Sequence, residues 1–80
     1  MTFIERYKKE ETWYGKAIIM GIYHTVMCQK NKDWALIDTA NDFQVSIGLV
    51  SENIRLALAL DKDKNLINCK TRQIALEKIK

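Results

Sequence analysis

The chain lacks most of the residues from which tight turns and β-hairpins are built. Among its 80 residues there is no proline, and the three glycines are Gly15, Gly21 and Gly48. No Asn-Gly or Asp-Gly pair offers a hairpin turn, and no segment sustains the apolar–polar alternation of a half-buried strand. Apolar residues recur at helical spacing instead. We therefore predict an all-α fold, a small bundle of four to five helices.

Cysteine and histidine are equally scarce. Cys28 and Cys69 are far apart and form no C-x-x-C pair, and His24 is the single histidine. Two cysteines and one histidine cannot supply the four ligands of a structural zinc site within one chain, so we expect no metal and no cofactor. Reduced, buried thiols are the favoured interpretation, and a single disulfide is the alternative.

Long apolar runs and targeting segments are also missing. The most apolar stretch, residues 17–28, is interrupted by Gly21, His24 and Thr25 and is too short to cross a bilayer. The first eleven residues are rich in charge and do not lead into the apolar core of a signal peptide. We therefore expect a soluble, cytoplasmic protein with no membrane partner.

Size and charge restrict the function only loosely. A single domain of 80 residues buries only about 60% of its unfolded surface, so a second copy is the most natural source of added stability. This favours a homodimer. The net charge of +3 comes from 13 basic and 10 acidic residues. It is compatible with nucleic acid as a partner but does not require one.

Apolar spacing and N-cap residues divide the single domain, residues 1–80, into a short leading element and further helical regions. These are a long helix over about 12–29, a two-helix motif over about 35–60 and a C-terminal helix over about 71–79. The expected N-caps are Thr12, Ser46 and Thr71. We expect the last helix to bury Ile74, Ala75 and Ile79.

Residues 36–60 have the spacing of a helix-turn-helix, in which two helices cross steeply through a short turn. The first helix needs a small residue where the second packs against it, and Ala40 meets this need. Large apolar residues are required at fixed offsets from it, and four are present: Phe43, Val45, Val50 and Ile54. The turn position after Phe43 prefers glycine, because its backbone tends towards positive φ. Gln44 stands there instead, at a cost of about 1 kcal/mol.

The segment from Val45 to Ala57 resembles the recognition helix of ParB/KorB-type partition proteins. In that family a valine-serine start leads to V-S-x-x-[LI]-R-L, which here reads V-S-E-N-I-R-L from Val50 to Leu56. The segment is also similar, more loosely, to Cro-type phage repressors. The resemblance covers about a third of the chain. It implies a small helical bundle that binds duplex DNA through the major groove.

We expect Val50, Ile54 and Ala57 of the second helix to face inward. The opposite, outward face of this helix would then meet DNA. A recognition helix enters the groove by its N-terminal half. The predicted contacts from this helix are Ser46, Ile47, Gly48, Ser51, Glu52 and Arg55. Thr39 and the start of its own helix could hold a second phosphate. Lys30 and Lys32 would attract the DNA backbone in a manner that does not depend on the DNA sequence.

The leading hypothesis is sequence-specific binding of double-stranded DNA by a homodimer. The chain would act as a small transcriptional regulator or as a replication or maintenance factor of a phage or plasmid. No motif places a nucleophile or carboxylate beside His24, so we expect no enzyme and no small-molecule substrate. The alternative is a protein-interaction module that reuses a helix-turn-helix bundle. In that case Asp38, Asp42 and Glu52 would neutralise the positive surface.

Overall fold

The computed structural model describes residues 2–79, and every regular element in that range is helical. The helices are α1 (Phe3–Lys9), α2 (Trp13–Lys30), α3 (Leu36–Phe43), α4 (Ile47–Lys62) and α5 (Arg72–Ile79), with a short 3-10 helix, Lys64–Asn68, between α4 and α5. The prediction of a small all-α bundle is confirmed. Within this part of the chain no single helix is long and apolar enough to cross a membrane. By length and composition alone, the bent pair of α3 and α4 taken together would be.

Side-chain caps fix the start of the longest helix. The Thr12 hydroxyl accepts a hydrogen bond from the Gly15 backbone N–H at 3.0 Å, as the sequence predicted for an N-cap. The Glu10 carboxylate in turn accepts from the backbone N–H and the hydroxyl of Thr12, at 3.1 and 3.0 Å. These hydrogen bonds lower the pKa of Glu10. Together they fix the bend between α1 and α2.

The core consists of two buried clusters, both built on α2 and α4. The C-terminal cluster contains Ala17, Leu56, Leu60, Leu66, Cys69, Ala75 and Leu76. The motif cluster contains Met20, Ala40, Phe43 and Val50. Helices α2 and α4 therefore form the central pair, on which α1, α3 and α5 are supported.

A small residue brings the central pair close together. A Cβ atom built on Gly21 of α2 would lie 2.8 Å from the Cβ of Ala57 on α4, which is closer than two such atoms can approach. Glycine is therefore required at this crossing for steric reasons, and its helical conformation is ordinary.

Two expectations about buried side chains have different outcomes. Both thiols are free; Cys69 is buried as predicted, whereas Cys28 is only half-buried. The predicted inward face of α5 is partly wrong. Ile74 is 41% exposed, whereas Leu76 is buried beside Ala75. Helical spacing of the few apolar residues in so short a helix did not fix which of them faces α4.

Candidate functional site

Helices α3 and α4 meet at a sharp corner. Their axes differ in direction by 103°, and the three residues 44–46 connect them. Gln44 adopts a left-handed conformation with φ 58° and ψ 47°, and it is the sole non-glycine residue with positive φ in residues 2–79. The next residue, Val45, donates its backbone N–H to the Ala40 carbonyl at 3.0 Å. This turn is the one that the sequence pattern predicted at Gln44.

The five residues on which that pattern depends come together in the structure. Ala40, Phe43 and Val50 are buried in the motif cluster, and Val45 and Ile54 are partly buried against it. Because α3 contributes two of them, α4 two and the turn one, the cluster holds the corner in shape. The prediction that these side chains share one small core is confirmed.

No family model, curated protein or solved structure matches the chain. The function of the corner is therefore judged from its own geometry and chemistry.

The start of α4 presents a polar, open surface. Ser46 caps the helix by accepting from the Leu49 backbone N–H at 3.1 Å and is exposed, as are Ile47 and Gly48. A Cβ on Gly48 would meet nothing closer than 4.0 Å, so this surface is open to a bulky ligand. One turn further along, Ser51 is half-buried. The first turn carries no acidic residue, so the positive end of the helix dipole is uncompensated there.

Arg55 extends the same face and is exposed. Glu52 and Asp61 on the same helix are the carboxylates with which Arg55 could pair. The structure does not contain either pair: in the part of the chain that it describes, the one ion pair joins Glu52 to Arg72. The guanidinium of Arg55 therefore remains available to a ligand.

Arg72 is a residue that sequence reasoning missed. It is the first residue of α5, and its Nη2 donates to Glu52 Oε1 at 2.9 Å while its Nε donates to Asn53 Oδ1 at 2.9 Å. Glu52 was predicted to contact DNA. That contact would have to compete with the ion pair, so Glu52 has a structural role that the sequence did not reveal.

Asn53 and Leu56 correct the predicted inward face of α4. Asn53 is 2% exposed, accepts from Arg72 and donates to the Met20 sulfur at 3.4 Å; Leu56 is fully buried. Ala57, predicted to point inward, does face α2 at the crossing with Gly21 and is half-buried. A buried asparagine reads as polar in a hydrophobicity pattern, which shifted the predicted face by part of a turn.

Thr39 does not face solvent, as the predicted phosphate contact would require. It is fully buried, and its hydroxyl accepts from Trp34 Nε1 at 2.8 Å and lies 2.6 Å from His24 Nδ1. The start of α3 is also occupied, because Asp38 Oδ2 accepts from the Ala35 backbone N–H at 2.8 Å. A carboxylate at that helix end repels an anion. The predicted second phosphate site is therefore wrong.

The remaining predicted residues are Lys30 and Lys32, at the end of α2 and in the loop that follows. Both are exposed, and neither forms an ion pair within the described range. They remain candidates for attraction that does not depend on DNA sequence. In the same region Cys28 Sγ lies 3.4 Å from His24 Nε2. The expectation that no nucleophile lies beside His24 is therefore wrong, and the spacing of four on one helix could have indicated the contact. No group of three or more potential metal ligands occurs in residues 2–79.

Proposed function

We propose that the chain binds duplex DNA in a sequence-specific manner, with the start of α4 in the major groove. It would act as a homodimeric transcriptional regulator or as a replication or maintenance factor, and it would have no enzymatic activity. The observation that carries this proposal is the α3–α4 corner, in which a short turn supports an exposed and non-acidic helix start.

The dimensions of the corner support the proposal. DNA-binding helix-turn-helix units join two helices at about 90–120° through a turn of three or four residues. The 103° angle and the connection over residues 44–46 fall within both ranges. The resemblance of α4 to ParB/KorB-type recognition helices agrees with this, and it is the reason to favour a phage or plasmid protein.

The charges near α4 support it as well. Arg55 has no carboxylate partner among the described residues, whereas Glu52 is compensated by Arg72. The face formed by Ser46, Ser51 and Arg55 therefore combines hydrogen-bonding hydroxyls with one free guanidinium. Such groups contact phosphates and base edges.

The test is a gel shift with duplexes that span the DNA flanking the gene for this chain, and with a random duplex of equal length. We expect the wild-type protein to retard one of the flanking duplexes more strongly than the random one. The affinity should fall steeply as salt is raised, because bound phosphates release counterions. Arg55→Ala should weaken binding by about tenfold.

Lys78→Ala provides the matched control, since it removes one exposed positive charge from α5, outside the α3–α4 corner. A specific contact predicts a much smaller effect for Lys78→Ala than for Arg55→Ala. Equal weakening by both variants would indicate attraction by overall charge alone. Absence of retardation for every duplex at low salt would refute DNA binding.

A second candidate function has its own supporting observation. An apolar groove of about 580 Å³ lies between α2 and α4, away from the helix start, and a protein partner could occupy it. In that case the corner would be a structural unit only. Specific retardation of a flanking duplex by the wild-type chain would favour the first candidate, and its absence at low salt would favour the second.

A further inference from the structure

An apolar groove lies between α2 and α4. Ile18 and Ile22 form its α2 side, Leu58 its α4 side, and Ile67 of the 3-10 helix closes one end. The small residues Gly21 and Ala57 also line it, where the two helices approach closely. It is therefore a cleft with aliphatic walls.

The walls of the groove are exposed to solvent. Seven large aliphatic side chains are exposed in the described part of the chain, and the four in the groove are Ile18, Ile22, Leu58 and Ile67, at 38%, 49%, 62% and 46%. Single exposed aliphatic residues are common on protein surfaces, but a contiguous group of this kind marks an interaction site.

We propose that the occupant of this groove is a second copy of the same chain, related by a two-fold axis. In such a dimer one patch must complement itself. The groove carries one charge of each sign on its edge, Asp61 and Lys64, so a rotated copy can place each opposite its counterpart. Leu58 is the most exposed wall residue, and a protruding side chain beside a cleft allows each copy to insert into the other.

The position of Leu58 on α4 agrees with the proposed function, on which this step rests. Leu58 is eleven residues beyond Ile47, which corresponds to about 16.5 Å along a helix. An axis near Leu58, with the two α4 helices antiparallel, would separate the two helix starts by up to about 33 Å. Successive major grooves on one side of a duplex are about 34 Å apart. A dimer through this groove therefore has the reach to present both helix starts to one DNA site.

The first test measures the mass of the full chain in solution without DNA, by analytical ultracentrifugation over a range of concentrations. We expect a dimer for the wild type, and a dissociation constant raised at least tenfold for Leu58→Lys. Ile37→Lys is the matched control because Ile37 is 50% exposed and lies outside the groove, so this variant should remain dimeric. Far-ultraviolet circular dichroism should show unchanged helicity in both variants.

A charge-exchange pair tests the two-fold arrangement directly. Asp61→Lys leaves two positive charges on the groove edge, and Lys64→Asp leaves two negative charges. Each variant alone should dimerise more weakly than the wild type, and an equal mixture should recover a heterodimer. Failure of the mixture to associate, with both variants folded, would overturn the two-fold arrangement.

The outcomes also separate this inference from DNA binding. A wild-type chain that is monomeric at every concentration, or a Leu58→Lys variant that dimerises as the wild type does, would overturn the groove assignment whether or not DNA is bound. A dimer that the Leu58→Lys substitution disrupts but that binds no DNA would leave the groove assignment standing and overturn the proposed function. Capture of a different protein by a monomeric chain would assign the groove to that partner instead.

Discussion

The buried hydroxyl of Thr39 links three parts of the fold. It accepts from Trp34 Nε1 and contacts His24 Nδ1, and none of its surface is exposed. Thr39→Val keeps the shape but leaves both partners without a hydrogen bond, so we expect a loss of about 2 kcal/mol in the free energy of unfolding. Chemical denaturation followed by tryptophan fluorescence measures it.

Thr39→Ser is the control, because it keeps the hydroxyl and removes one methyl group. Its loss should be smaller, about 1 kcal/mol. If the valine variant were as stable as the serine variant, the network would contribute little. A structural role also predicts that folded Thr39→Val binds DNA as tightly as the wild type does.

Gln44 gives a second prediction at this scale, with the opposite sign. Its left-handed backbone, φ 58° and ψ 47°, is strained for a residue with a Cβ but not for glycine. Gln44→Gly should therefore raise the free energy of unfolding by about 1 kcal/mol. Asn41→Gly, at an exposed position inside α3, should instead lower it slightly, by about 0.3 kcal/mol. Chemical denaturation of the two variants compares them, and a destabilised Gln44→Gly would show that the turn is not strained.

Sequence reasoning succeeded where the interacting residues are close in the chain. Ala40, Val45 and Val50 lie within one short segment, so their spacing was enough to predict that they meet. Arg72 contacts Asn53, which is 19 residues away, through a contact that depends on how α5 returns to α4. No local pattern encodes that return. The burial of Thr39 was missed for the same reason, since His24 reaches it from another helix.

At the scale of the element, the crossing of α2 and α4 gives a test of packing. Gly21→Ala places a methyl group 2.8 Å from the Cβ of Ala57, and neither atom can rotate away. Alanine favours a helix over glycine by about 1 kcal/mol, but overpacking of about 1–3 kcal/mol opposes it. We expect a net destabilisation of about 1 kcal/mol, measured by thermal or chemical unfolding.

The reciprocal change provides the control. Ala57→Gly on the Gly21→Ala background removes the opposing methyl group and should restore most of the lost helix contact. The double-mutant cycle should therefore show a favourable coupling between the two substitutions. Strictly additive effects would mean that the two backbones do not depend on this small pair for their approach.

The elements themselves could be predicted to within about two residues, because their starts are determined locally. Thr12 and Ser46 cap α2 and α4 as expected. The rotation of each helix about its own axis was less predictable, since it depends on tertiary contacts. Asn53 faces inward because Arg72 and Met20 meet it there, and Ile74 faces outward although the two residues that follow it, Ala75 and Leu76, are buried.

At the scale of the whole molecule, aromatic side chains join the N-terminal elements to the motif. The Tyr23 ring on α2 lies 5.7 Å from Phe3 of α1, 5.0 Å from Phe43 of α3 and 6.5 Å from Trp34, measured between ring centroids. All three pairs meet edge to face, an arrangement that adds to the energy of burial. The Tyr23 hydroxyl donates to Asp42 at the edge of this group. One titratable side chain therefore touches three parts of the fold.

This position makes the stability of the protein sensitive to alkali. Burial, and then the hydrogen bond and charge of Asp42, raise the pKa of Tyr23 to about 12. An unfolded tyrosine titrates near about 10, so between these values the folded state holds the proton more tightly than the unfolded state does. The contribution of Tyr23 to stability should be complete below about pH 10 and should be lost as the pH rises through about 12. Chemical denaturation across this interval, compared with Tyr23→Phe, measures it.

The phenylalanine variant should lose less stability over the interval, and Asp42→Asn should shift the tyrosinate absorbance titration towards lower pH. Parallel stability curves for wild type and Tyr23→Phe would show that the hydroxyl of Tyr23 is not the group that links folding to alkaline pH.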